Sequence, residues 1–124
     1  MLRKATMISI VDDDHAVREA VKSLVRSLGY SVSTFASAEE FLKSERLQDT
    51  SCLITDLHMP GMTGVELQDH LIADGHRMPI IFITAYPDDT VRARAMKAGA
   101  VCFMKKPFSE DHLVGCLDRA LGPS

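Results

Sequence analysis

Five carboxylate, hydroxyl and ammonium positions at the ends of apolar runs carry the chemistry that this 124-residue chain can offer. Asp12 and Asp13 follow the run MISIV, with Asp14 next to them; Asp56 follows CLIT, Thr84 closes PIIFIT, and Lys106 stands just past VCFM. If the runs lie side by side, these groups meet on one rim. Three carboxylates gathered there would repel one another and hold their protons to higher pH unless a cation joined them. Oxygen donors suit a hard divalent ion, Mg²⁺ or the similar Mn²⁺. Each residue also has an ordinary reading: the aspartates as helix caps, Asp56 as a turn residue in DLHMPGMTG, Thr84 as a β-branched strand residue and Lys106 as a solvated charge. Their joint placement at strand ends is what none of these readings explains.

The elements that must position them follow from the hydrophobic pattern. Met7–Val11, Cys52–Thr55, Pro79–Thr84 and Val101–Met104 are too short for helices and too continuously apolar for half-exposed strands, so they read as strands buried on both faces. Ser31–Phe35 alternates polar with apolar, as a sheet-edge strand does. Between them, His15–Leu28 sets Val17, Val21, Leu24 and Leu28 on one helical face, ended by Gly29. Ser37-Ala-Glu-Glu40 and Thr63-Gly-Val-Glu66 are capping-box patterns that open two more helices. Further helices are expected over Asp88–Ala98, stopped by Gly99, and Ser109–Leu121, closed by Gly122-Pro123. Alternating βα units with short links predict an α/β fold: one doubly wound, flavodoxin-like parallel sheet of order 2-1-3-4-5 flanked by five helices. In such a sheet the ligand site lies beyond the carboxyl ends of the strands, where the winding reverses, here between the first and third.

Bulk properties narrow the rest. With 46% hydrophobic and 25% charged residues, the chain can bury one core, and a single domain over 1–124 is expected. The net charge of −3 offers no electrostatic case for direct nucleic-acid binding. Cys52, Cys102 and Cys116 show no CxxC spacing and sit in apolar runs, which suits reduced core thiols in a cytoplasmic protein. No apolar stretch approaches membrane-spanning length, and no signal peptide or anchor is read at MLRKATMISIV.

Four motifs, in order and at matching separations, give the whole chain a resemblance to the receiver domains of bacterial two-component response regulators. IVDDDHAVR is similar to that family's acidic cluster, TDLHMPGMTG to its phosphoacceptor loop, FITA to its switch-threonine strand and KKPF to its lysine–proline loop. The wording of VDDDHAVR, TDLHMPGMTGVEL, AMKAGAV and KPF is nearest to regulators of the FixJ type. The resemblance implies that Asp56 accepts the phosphoryl group, Asp13 binds the metal directly, Asp12 binds it through water, and the His58 carbonyl is a third contact. It makes Thr84 and Lys106 partners of the phosphoryl oxygens and places Phe103 at a switch position, where a phenylalanine without a hydroxyl must respond by packing alone.

The implied function is a phosphorylation-dependent signalling switch, not a turnover enzyme, with a sensor histidine kinase as partner. Its output surface would be the face over Asp88–Leu121, without direct nucleic-acid binding by this domain, with a DNA-binding output domain cut away or absent and a phosphorylation-dependent homodimer as further expectations. His58 and Tyr86, two residues beyond Asp56 and Thr84, are expected to rim the opening through which water reaches the phosphoryl group. The main rival is a metal-dependent phosphohydrolase with an aspartyl-phosphate intermediate, but its usual second aspartate is replaced here by His58. A nucleotide or flavin carrier would need a Gly- or Ser-rich loop where three aspartates stand.

Overall fold

The computed structural model describes residues 6–122, so Pro123, expected to close the last helix, lies outside the described residues. Five parallel strands, β1 (Met7–Val11), β2 (Ser31–Phe35), β3 (Cys52–Asp56), β4 (Ile80–Thr84) and β5 (Cys102–Lys105), form one sheet in the order β2-β1-β3-β4-β5. The predicted order is therefore observed, with the alternating segment at an edge. β3 and β4 are buried at every position, whereas β2 is mostly half-buried. Asp56 is itself the last residue of β3 and not the residue after it.

Helices α1 (His15–Ser27) and α6 (Glu110–Leu121) cover one face, burying Val21, Val25, Leu113, Cys116 and Leu117 against Ile8, Ile10, Ile54, Ile81 and Ile83. Helices α2 (Ala38–Leu42), α4 (Gly64–Ala73) and α5 (Asp89–Lys97) cover the other, around Val11, Leu53, Leu57 and Phe82. The two layers are what makes continuous apolar strands stable in water. All three cysteines are free and buried on the α1/α6 side, and burial pushes the Cys52 and Cys116 thiols up to about 12. They behave as core residues.

Three local expectations are corrected. The second helix is split into α2 and a short α3 (Arg46–Asp49), giving six helices where five were expected. The break falls at Ser44, whose Oγ accepts from the Arg46 amide at 3.0 Å and so competes with helix continuation. The Ser37 box is half made: Ser37 Oγ accepts from the Glu40 amide, but only Thr63 and Glu66 form the complete reciprocal box among the described residues. On α1 the buried face carries Val25, while Leu28 is 37% exposed at the C-cap.

Candidate functional site

Side-chain alternation along the strands decides which groups can meet. Asp12 prolongs the row of Ile8 and Ile10, Asp56 that of Cys52 and Ile54, and Lys106 that of Cys102 and Met104, all packed on the α1/α6 side. Period-two geometry therefore turns two carboxylates and the ammonium toward one face at the carboxyl rim. Thr84 prolongs the opposite row, that of Ile80 and Phe82.

The contacts agree. Lys106 Nζ lies 3.1 Å from Asp12 Oδ2 and 3.4 Å from Asp56 Oδ2. Asp12 is fully buried and Asp56 nearly so, so these pairs are shielded from the screening that weakens surface ion pairs. Asp12 Oδ1 also accepts from the Asp14 amide at 2.9 Å, and Asp56 Oδ1 accepts from the His58 amide at 3.4 Å. Burial, and then the Asp12 charge, push the Asp56 carboxyl above its usual range, although Lys106 and the His58 amide oppose them. For Lys106 burial works downward, but hydrogen bonding and attraction to Asp12 and Asp56 outweigh it and raise its pKa. The lysine is thus held charged.

Asp12, Asp13 and Asp56 each offer a carboxylate oxygen, and these lie within 4.8 Å of one another, with Asp13 exposed to solvent. One ammonium does not balance three carboxylates. The donor set is all oxygen, its inner members are short of compensation, and its outer member is open to water, which fits a hard divalent cation that keeps part of its hydration. His58 adds its backbone to the same loop. A cavity of about 260 Å³ opens over these groups, lined by Asp13, Asp14, Asp56, His58, Ala85, Tyr86 and Lys106.

The rim residues meet each other: His58 Nε2 is 3.3 Å from the Tyr86 carbonyl oxygen, and their rings stand edge to face at 6.2 Å. Tyr86 is 75% exposed. Thr84 is fully buried and lies outside the cavity lining, its Oγ1 accepting from the Tyr86 amide at 3.0 Å, which leaves the hydroxyl proton free to donate. Phe103 is half-buried against the α2/α4/α5 core, tilted 44° to Phe82 at 6.1 Å.

Two contributors, Ala85 and Arg18, were not singled out in the sequence, and the helix-cap reading of the aspartates falls to one of them. Asp14 is the α1 N-cap, its carboxylate accepting from the Ala16 and Val17 amides, so the third aspartate of the cluster is spent on the helix start. Ala85 matters by being small, which keeps the cavity open beside Lys106. Arg18 donates through Nη1 to the Asp12 carbonyl at 2.7 Å and so clamps the acidic turn. Its place inside VDDDHAVR was visible, but the reach back over six residues was not.

Residues 8–118 match the family model of the response regulator receiver domain. The chain is 46% identical over 121 residues to the response regulator protein TodT of Pseudomonas putida F1, covering 98% of this chain and 53% of that protein. It is 38% identical over 117 residues to the transcriptional regulatory protein FixJ of Azorhizobium caulinodans, covering 94% and 56%. It therefore spans about half the length of these curated relatives. Among solved structures, the response regulator StyR superposes with a TM-score of 0.87 at 44% identity, covering 95% of this chain and 60% of that one. FixJ-N superposes with 0.84 at 37% identity, covering 95% and 94%.

Proposed function

The chain belongs to the response regulator receiver domain family, and from that membership we propose that it is switched by transfer of a phosphoryl group to Asp56, with Mg²⁺ or Mn²⁺ held by Asp12, Asp13, Asp56 and the His58 carbonyl. The observation that supports this most is the bridging of two buried carboxylates by Lys106, with a third carboxylate within reach. Held by these residues, the cation would supply charge compensation for the phosphoryl oxygens.

The chain's own residues do the rest. An Asp56 oxygen forms the new bond to phosphorus as the bond from phosphorus to the donor breaks, and the donor leaves with that electron pair. Lys106 stays charged and offsets a phosphoryl oxygen, while the Thr84 hydroxyl donates to another. Asp12 remains bound to Lys106 and keeps it aimed at Asp56. His58 presents no carboxylate two residues beyond Asp56, so the phosphohydrolase reading lacks its second acid.

The donor is a sensor histidine kinase, and the output is transcription regulation, as in the relative named transcriptional regulatory protein FixJ. The longer length of the relatives leaves room for a DNA-binding output domain beside this one, and a phosphorylation-dependent homodimer over Asp88–Leu121 is a compatible means of transmission. The domain is a cytoplasmic switch and not a turnover enzyme; among the described residues no helix is long and apolar enough to cross a membrane. Incubation of the wild type and Asp56→Asn with acetyl phosphate and Mg²⁺, followed by mass measurement, tests the reading. A single phosphoryl adduct on the wild type alone is expected; equal yield on the variant would reject Asp56.

A further inference from the structure

The loop between β3 and α4 is tied firmly at both ends. At its start, the Leu57 amide donates to the Ile83 carbonyl at 3.0 Å, and Leu57 and Met59 are buried in the core. At its end, the Gly64 amide donates to the Leu57 carbonyl at 2.9 Å, and the Thr63–Glu66 box fixes the first turn of α4. Between these ends lie Met59, Pro60, Gly61 and Met62, and Pro60 has no amide hydrogen to contribute. Among the described residues, the hydrogen bond that reaches this middle stretch from another element comes from Glu39 of α2: Glu39 Oε2 accepts from the Met62 amide at 3.1 Å. The carboxylate also lies over Gly61, where a Cβ would approach Glu39 Oε2 to 2.7 Å, and Gly61 has φ +76°. A residue with a side chain there would be strained in its backbone and would push the carboxylate away.

We propose that Glu39 is a positioning residue for the phosphoacceptor loop, a staple from a neighbouring helix that fixes the middle of the loop and, through it, His58. This rests on the function proposed above. His58 serves the site by its backbone, its amide on Asp56 Oδ1 and, in the function proposed above, its carbonyl as a cation contact. Both depend on the path of the chain around His58: burial holds Leu57 and Met59, the Gly64 amide holds the far end, and Glu39 holds Gly61 and Met62 between them. Glu39 is the second residue of α2, so a Ser37 box would draw on Glu40 and not on it, and its carboxylate reaches across to the loop. A charge-assisted bond at an exposed position is modest in strength, so its loss should loosen the loop without unfolding the domain.

The test compares wild type, Glu39→Ala and Glu39→Gln, in which glutamine keeps an acceptor oxygen and drops the charge. Two quantities are read: Mg²⁺ affinity by calorimetric titration, and hydrogen exchange of the Met62 amide. Glu39→Ala should weaken Mg²⁺ binding about three- to fivefold and speed Met62 exchange by a similar factor, and Glu39→Gln should restore both to within about twofold of wild type. Unchanged Mg²⁺ affinity in Glu39→Ala would overturn the proposal, as would a Glu39→Gln variant as impaired as the alanine, since charge and not the bond would then be responsible. If the wild type itself bound no Mg²⁺ and took no phosphoryl group, the function reading would fall first and this proposal with it.

Discussion

Asp56 is the residue on which the chemistry and the stability of the domain conflict. Its folded pKa is raised, chiefly by burial and then by Asp12, so the folded chain holds this proton more tightly than the unfolded chain does. As pH rises past the ordinary carboxylate value, the unfolded state releases its proton first, and stability falls through the window up to the raised value and stays lower above it. Asp56→Asn removes that loss. In metal-free buffer near pH 7 the variant should melt roughly 2–6 °C above wild type, with the gap closing as pH falls below the ordinary carboxylate range. Adding Mg²⁺ should raise the wild-type midpoint more than that of the variant; thermal scans at several pH values check both. Tyr86 and His58 make a second claim at this scale. They stand against each other over the cavity, which places the Tyr86 ring where it would obstruct the in-line approach of water if Asp56 carries a phosphoryl group as proposed. Tyr86→Ala should leave loading intact and shorten the adduct lifetime several-fold, about 1 kcal/mol in the hydrolysis barrier, as followed by mass after donor removal. An unchanged lifetime would assign the ring to surface exposure alone.

At the scale of elements, the start of α4 is built against the end of β3. Gly64 opens that helix, and a Cβ there would run into the Asp56 carbonyl oxygen and come within 3.1 Å of Leu57 Cα and the Phe82 ring. The obstruction is backbone on one side and a buried ring on the other, so neither can yield cheaply. Gly64→Ala should cost about 1–3 kcal/mol by denaturant unfolding and slow phosphorylation by acetyl phosphate by a larger factor than Ala at exposed Gly75, because the strain is delivered to the Asp56 backbone. The acidic turn shows a related division of labour. Of three consecutive aspartates, Asp14 caps α1, Asp12 is buried on Lys106, and Asp13 is left facing the cavity. The helix start thereby sets which aspartates are available to a cation.

At the scale of the whole molecule, the site and the α5–β5–α6 face are joined through β4. Thr84 is buried on the same strand row as Phe82, and Phe82 packs on Phe103. A hydroxyl drawn toward Asp56 would vacate space in that row, and close-packed cores respond to such a change by repacking. Thr84→Ala should therefore accept beryllofluoride with Mg²⁺ yet lose most of the amide chemical-shift change over Asp88–Leu121 that wild type shows. A full change in the variant would break the Thr84–Phe103 link.

The sequence by itself determined the strands, their buried or edge character, the parallel order and the identity of the rim residues, because those follow from local periodicity and from the handedness of βα connections. Burial on both faces was legible in PIIFIT, and the gathering of Asp12, Asp13, Asp56 and Lys106 on one rim in their strand-end positions. Tertiary structure decided what the local pattern leaves open. Whether Glu40 closes the Ser37 box was such a question: the pattern permits it, but only the Ser37 half forms, while the neighbouring Glu39 reaches to Met62, 23 residues further along the chain. The break at Ser44 is local by comparison: between α2 and α3 its Oγ accepts from the Arg46 amide two residues on. The division of three like aspartates among cap, ion pair and open carboxylate was decided by where α1 begins and where Lys106, 94 residues from Asp12, comes to rest. Sequence patterns report each residue's neighbours along the chain, whereas a site is made by charges and amides that only packing brings within hydrogen-bond reach.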